Sequence, residues 1–301
     1  MSTIFAITTM YGHGLDLLPH WCQHYTALGA DCLLLVIGFR HDQDFLRGTD
    51  HASNPFPHVV DIAKQFPAKV FPFAFDKYHT MYTQYVREHV KRAAGVGPDD
   101  WVMHADLDEF YEFPIRLREL VAVMEVANDW ALHGHILDRV AQDGSLPSVL
   151  NGKNIGEQFP LGCHLTGRIF GANTRKIMLC RGRVRVNAAH DNTFNGRWKR
   201  IPVGTVDQYI AHHFRWTDAL IPKLKARLAG QGIGETYRNE IRRFLAYWEK
   251  HGRIDISDPR IEAHFVGRLT PEKGNAIHNV DNRPDTCQLL ERDITSGTPH
   301  P

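Results

Sequence analysis

The run Trp101-Val102-Met103-His104-Ala105-Asp106-Leu107-Asp108-Glu109-Phe110 decides how the chain is read, because a short apolar stretch passes directly into three acids spread over four positions. An apolar run of this length reads as a buried strand, and the alternation of side chains along a strand brings Asp106 and Asp108 to one side at its carboxyl end. That end is where open α/β sheets keep their ligands. Two carboxylates so placed repel each other, and a divalent cation shared with a phosphate-bearing ligand relieves them. An Asp-x-Asp arises by chance about once in a chain of this length. The strand before this one, its third acid, and Tyr111, Phe113 and Pro114 after it set it apart.

Outward from that run, strand and helix signals alternate toward the amino terminus. Ile4 to Thr9 is a short β-rich stretch, and the glycines of Tyr11-Gly12-His13-Gly14 allow a tight turn after it. Leu17, Leu18, Trp21, Tyr25 and Leu28 recur at helical spacing, with Asp16 at the N-cap, Pro19 in the first turn and Gly29 as the stop. Cys32 to Ile37 is an unbroken apolar run, the pattern of a strand in a parallel sheet with helices on both faces. A short helix is expected near Val59 to Gln65 and a third strand at Lys69 to Phe75. A longer helix is expected over Tyr78 to Ala94, with Met81, Tyr85, Val86, His89, Val90 and Ala93 as its apolar stripe.

On the carboxyl side, Leu117, Leu120, Val121 and Met124 mark a helical face and Trp130 to Leu137 a strand. Past residue 140 the alternation weakens into loops around Asp143-Gly144 and Asn151 to Gly156. A β pair is expected at Lys176 to Cys180 and Arg183 to Asn187, turned by Gly182. A last strand at Tyr209 to Trp216 and helices at Asp218 to Leu228 and Glu235 to Lys250 follow. Residues 1–257 read as one α/β domain with a Rossmann-like, mixed, mostly parallel sheet and helices on both faces. Residues 258–301 read as a polar tail, weakly structured or packing on that domain.

The balance of 35 Lys and Arg against 34 Asp and Glu leaves no global basic field for a nucleic-acid backbone. A phosphate-bearing ligand must therefore be small and held locally. Five scattered cysteines without a Cys-x-x-Cys pair read as reduced thiols in a cytoplasmic protein. No run of eighteen apolar residues and no leader signature appear, so a membrane-spanning segment is not expected.

Three blocks resemble the glycosyltransferases of the GT-A fold, within them the bacterial branch of family two related to the DUF23 or family ninety-two enzymes. Leu18-Pro19-His20-Trp21-Cys22-Gln23-His24-Tyr25-Thr26-Ala27-Leu28-Gly29-Ala30 is similar to the family's LPEWxxYHxxLG helix, and Asp100-Trp101 through Phe110 to its DDWxxxxDxDEF stretch. The third block is His133 to Val140 followed by Asp143-Gly144. Where the family has Asn-Glu after the first strand and an acidic loop after the second, this chain has Tyr11-Gly12-His13 and Arg40-His41-Asp42-Gln43-Asp44. Those loops normally hold the base and ribose, so the donor nucleotide is left open.

The resemblance implies a metal-dependent transfer of a sugar from a nucleotide-sugar donor to a saccharide or glycolipid acceptor, the latter compatible with peripheral membrane contact. It implies Mn²⁺ or Mg²⁺ as Lewis acid on the diphosphate, with Asp106, Asp108 and a late histidine, His213 of the His212-His213 pair, as metal ligands. Donor contacts are expected from Thr8, His104, Asp106, Arg139 and Lys176, with Arg175 an alternative to Lys176. Asp138 is the expected catalytic base, with Glu109 and Asp191 as alternatives and a structural Asp138–Arg139 ion pair as the competing reading. Trp198 and Trp216 suit stacking on a sugar or base, although most tryptophans pack in cores. Two other readings of the acidic cluster are a metal-dependent phosphohydrolase or nucleotidyltransferase and a non-catalytic nucleotide-sugar-binding module.

Overall fold

The computed structural model describes residues 2–10, 14–40, 56–75, 80–186, 209–230 and 233–269. Strand β1 (Ile4–Met10) is followed by a 3₁₀ turn at Leu15–Leu17 and helix α1 (Leu18–Leu28). The N-cap is Leu17 rather than Asp16, because the 3₁₀ turn already wraps the residues before the helix. Gly29 ends α1 at φ 106°, a left-handed conformation that glycine adopts without steric cost. Strand β2 (Cys32–Arg40), helix α2 (Phe56–Ala63) and strand β3 (Ala68–Phe75) come next. Helix α2 ends before the expected Gln65, since Phe66 precedes Pro67 and is steered out of the helical region.

Helix α3 (Thr80–Ala94) returns the chain to strand β4 (Trp101–His104). Strands β3, β2, β1 and β4 lie side by side and parallel, with Phe5 opposite Cys32 and Ile4 opposite Trp101. Alternation sends Ile4, Ala6, Leu33 and Leu35 to the α1–α2 face, where Trp21 and Tyr25 are fully buried. Phe5, Ile7, Leu34 and Val36 meet Val86 and Val90 of α3 on the other face. Helices thus cover both faces, as the unbroken apolar run of β2 predicts.

The stripe expected on α3 is rotated. Tyr85 is 63% exposed, and the inward positions beside Val86 and Val90 belong to Arg87 and Lys91. These cations are tolerated because each finds a partner: Arg87 reaches Asp106, and Lys91 reaches Glu88 and the Val184 carbonyl.

Beyond β4 the sheet becomes mixed. Strand β5 (Glu109–Glu112), helix α4 (Leu117–Val126), strand β6 (Ala131–Val140), helix α5 (Ile155–Gln158) and strand β7 (Leu161–Cys163) follow in order. After a π-helical turn at Thr166–Phe170 come strands β8 (Arg175–Arg181) and β9 (Ile210–His213), helices α6 (Leu220–Ala229) and α7 (Glu235–His251), and strand β10 (His264–Phe265). The sheet order is β10-β7-β6-β8-β4-β1-β2-β3, with β9 pairing β5 and β6. The expected hairpin at Gly182 does not form, because β8 already has β4 on one side and β6 on the other. Its last residue, Asn187, lies outside the described residues.

Gly134 lies opposite Lys176 in the β6–β8 ladder, and a Cβ there would come within 2.5 Å of the Tyr209 carbonyl. Only glycine lets the segment entering β9 approach that closely. Helices α6 and α7 bring Leu224, Ile241 and Phe244 around Trp216 and Phe170 in a second core. The described part of the tail is not loose, since Leu269 is buried in the main core and β10 pairs with β7. Among the described residues no helix is long and apolar enough to cross a membrane.

Candidate active site

The acidic run is a turn between two strands, where the sequence reads as a single strand end. The Asp106 carbonyl accepts from Glu109 N–H at 3.0 Å and the Asp106 N–H donates to Glu109 Oε2 at 2.7 Å, closing the chain on itself. Glu109 then opens β5, which pairs antiparallel with β9. Consequently Asp106 and Asp108 do not share a strand face; they are aimed at different walls of one cleft of about 510 Å³.

The first wall carries Thr9, Arg87, Lys176, Asp106 and Glu109. Arg87 donates to Asp106 Oδ1 at 2.5 Å and to Thr9 Oγ1 at 3.2 Å. Lys176 bridges Glu109 Oε2 and, at 3.5 Å, Asp106 Oδ2. Burial works against charge on Arg87, but Asp106 and Glu109 outweigh it and hold the guanidinium above its ordinary range. Burial raises the Glu109 carboxyl against the pull of Lys176. His104, at the cleft floor, is fully buried and held neutral, first by burial and then by Lys91, Arg87 and Lys176.

The second wall is centred on His213. Its Nδ1 lies 3.0 Å from Asp138 Oδ1, and its Nε2 faces Asp108 Oδ2 at 3.8 Å. Asp138 is fully buried and also accepts from Thr166 N–H at 2.6 Å, Thr166 Oγ1 at 2.7 Å and Trp216 Nε1 at 3.0 Å. With that carboxylate accepting at Nδ1, the other ring nitrogen, Nε2, is the one turned to the Asp108 carboxylate. Burial disfavours the Asp108 carboxylate, yet His213 and Lys223 more than compensate and lower its pKa. Arg215, Lys223, Arg227, Tyr237 and Glu240 complete this side of the cleft.

This wall offers a divalent ion two donors. Asp108 and His213 supply one oxygen and one nitrogen, and Asp138 binds the far side of the imidazole as a metal-orienting carboxylate does. Among the described residues no three His, Cys, Asp or Glu side chains converge on one point. Asp106, the other acid expected to hold metal, faces the opposite wall between Arg87 and Lys176. Mg²⁺ ordinarily takes one or two carboxylates with the rest from phosphate and water, and Asp108 is the carboxylate of this pair.

Several expected site residues are placed differently. Thr8 points away from the cleft and is fully buried, so its neighbour Thr9 takes the facing position. Arg139 is also fully buried, on the face of β6 opposite Asp138, because adjacent strand residues point apart. Its guanidinium donates to the carbonyls of Phe159, Gly156 and Gly267 and to His212 Nδ1, so it neither reaches the cleft nor pairs with Asp138. Burial pulls its pKa down to about 10. His212 turns to Glu112 at 2.7 Å, which leaves His213 as the one of the pair that faces the cleft. Asp138 reaches the cleft only through His213, and Trp216 is buried in the second core with its indole N–H on Asp138. Lys176 rather than Arg175 lines the cleft. Asp191, Trp198, Tyr11-Gly12-His13 and His41 to Asp44 lie outside the described residues.

The sequence reading misses Thr9, Arg87, Arg215, Lys223, Arg227 and Glu240. Arg87 had one legible signal, its place beside Val86 on a helix that must cover a sheet.

No known family profile matches the chain, and no curated protein does. Similar solved structures include S. aureus TarS in complex with UDP-GlcNAc, at 11% identity over 83% of this chain and 73% of that one, TM-score 0.38. Another is 4-diphosphocytidyl-2C-methyl-D-erythritol synthase, at 12% identity over 61% and 76%, TM-score 0.33. A UDP-glucose pyrophosphorylase complexed with UDP-glucose aligns at 8% identity over 89% and 91%, TM-score 0.28. At these values the fold assignment rests on the sheet order and helix placement themselves.

Proposed function

We propose that the chain is a glycosyltransferase of the GT-A type that moves a sugar from a nucleotide-sugar donor to a saccharide or glycolipid acceptor. The observation that carries this reading is the row Asp138–His213–Asp108 beside a cleft with fixed cations on both walls. Asp108 and His213 would hold Mg²⁺ or Mn²⁺, which when bound withdraws charge from the departing diphosphate. Asp138 fixes the imidazole in one tautomer and one orientation. Asp106, with its side chain 43% exposed between Arg87 and Lys176, is the acid of the first wall that contacts the donor.

A base must lie within hydrogen-bond reach of the acceptor hydroxyl. Asp138, sealed behind His213, is better suited to orientation. Glu240 of α7 opens on the cleft, and burial raises its carboxyl against the pull of Arg243 and Arg215. It is the carboxylate we assign to accept the proton.

Incubating the purified protein with a panel of nucleotide sugars, Mn²⁺ and saccharide acceptors tests the reading. Metal-dependent release of a nucleoside diphosphate with a glycosylated acceptor supports it. Release of pyrophosphate from a nucleoside triphosphate and a sugar phosphate would replace it with nucleotidyl transfer.

A further inference from the structure

We propose that Lys223, together with Arg227 and Arg215, forms a diphosphate-binding subsite on the α6 wall of the cleft. The inference rests on the glycosyl-transfer reading only for the origin of the diphosphate, which is then the leaving group of the donor. Leu220 and Leu224, buried in the second core, set the rotation of α6. Lys223 and Arg227, four residues apart, therefore share the face that lines the cleft.

Three features point to an anion. First, no acceptor among the described residues lies within hydrogen-bond distance of the Lys223 ammonium, which is half-buried. Burial pulls its pKa down to about 8; Asp108 opposes that, and Arg227 and Arg215 add to it. An ammonium so placed gains from an incoming negative charge. Second, Arg215 is held by rings, with its guanidinium 4.7 Å from the centre of Phe170 and 5.6 Å from that of Trp216. Its donors keep their capacity for a ligand. Third, Arg227 donates to the Tyr237 hydroxyl, which fixes it on the same wall.

Three cations spread along one wall, with Glu240 the acid beside them, match oxygens on two phosphorus atoms better than those of a single phosphate. Asp108 and His213 border the same space. A diphosphate lying there could meet a metal ion on one side and these cations on the other.

Calorimetric titration of inorganic pyrophosphate and inorganic phosphate into the wild type, Lys223→Met and Lys223→Arg, each with and without saturating Mg²⁺, tests the subsite. Pyrophosphate is expected to bind the wild type and to weaken about ten- to a hundredfold in Lys223→Met, the loss of one hydrogen bond from a charged group. Lys223→Arg should retain most of the affinity, with unliganded melting temperatures alike in all three. Unchanged pyrophosphate affinity in Lys223→Met overturns the subsite. Phosphate binding as tightly as pyrophosphate overturns the diphosphate assignment and points to a phosphorylated acceptor instead. If Lys223→Met loses pyrophosphate while the wild type turns over no nucleotide sugar, the subsite stands and the transfer reading falls. If Lys223→Met turns over nucleotide sugars with unchanged KM, the transfer reading stands and the subsite falls.

Discussion

Arg87 and Lys176 on the first wall of the cleft each reach a carboxylate, whereas Arg215 and Lys223 on the α6 wall reach none among the described residues. The residue types are the same on both sides, and the wiring differs. A buried cation with a buried acid is already neutralised, and its worth lies in holding the acidic turn against β1 and β8. A cation propped by aromatic rings, or left half-buried alone, carries unspent attraction for an anion. The cations of the first wall are therefore read as scaffold around Asp106, which stays open to the cleft, and those of the second as ligand surface.

The largest effect expected from this contrast is on stability. Glu109→Ala leaves the Lys176 ammonium, 4% exposed, with only the longer contact to Asp106. Removing one partner of a buried pair costs about 3–5 kcal/mol. A denaturant midpoint equal to the wild type would break the scaffold reading of the first wall.

The second wall should respond in function. Glu240→Gln is expected to lower transfer about 10²-fold with donor affinity and melting temperature unchanged, as loss of a base does. Asp138→Asn should behave differently, because four donors converge on that carboxylate and an amide offers its own N–H groups to some of them. A loss of about 1–3 kcal/mol in stability is expected. A 10- to 100-fold weaker metal affinity should accompany it. Transfer assays and Mn²⁺ titrations on the two variants separate the roles, and normal transfer by Glu240→Gln removes it as the base.

An effect silent at neutral pH lies in the core behind the acidic turn. His24 stacks edge-on to Phe110 and meets the Tyr111 carbonyl at 2.9 Å. Burial lowers its pKa from 6.5 to about 4. Its contribution to stability is complete above pH 6.5 and is lost as the pH falls toward 4, by up to about 1.4 kcal/mol per pH unit. Urea unfolding at several pH values should show that slope in the wild type and a shallower one in His24→Gln, which keeps a donor for the Tyr111 carbonyl.

The amino-terminal half was legible because each of its signals is local. An unbroken apolar run in β2 and a glycine stop after α1 need no knowledge of the rest of the chain. The cleft was legible only in part. Asp108 and His213 were readable as an acid after a strand and a histidine on a late one, and they meet because β5 pairs with β9. That pairing joins residues about a hundred positions apart, and β5 itself was hidden inside what looked like the end of β4. Asp138 reads in the sequence as the catalytic base and lies against the His213 imidazole instead, because no local pattern tells an acid facing a cleft from one facing an imidazole. Arg87 and Lys91 looked like the polar side of a helix, because burial of a charge depends on a partner supplied from elsewhere.

The most direct test of the account is a calorimetric titration of a nucleoside diphosphate panel, with and without Mn²⁺, into the wild type and Asp108→Ala. The account predicts that one nucleoside diphosphate binds the wild type far more tightly with metal, and that Asp108→Ala loses this metal-dependent gain while melting at the same temperature. Metal-dependent binding that survives in Asp108→Ala would contradict it.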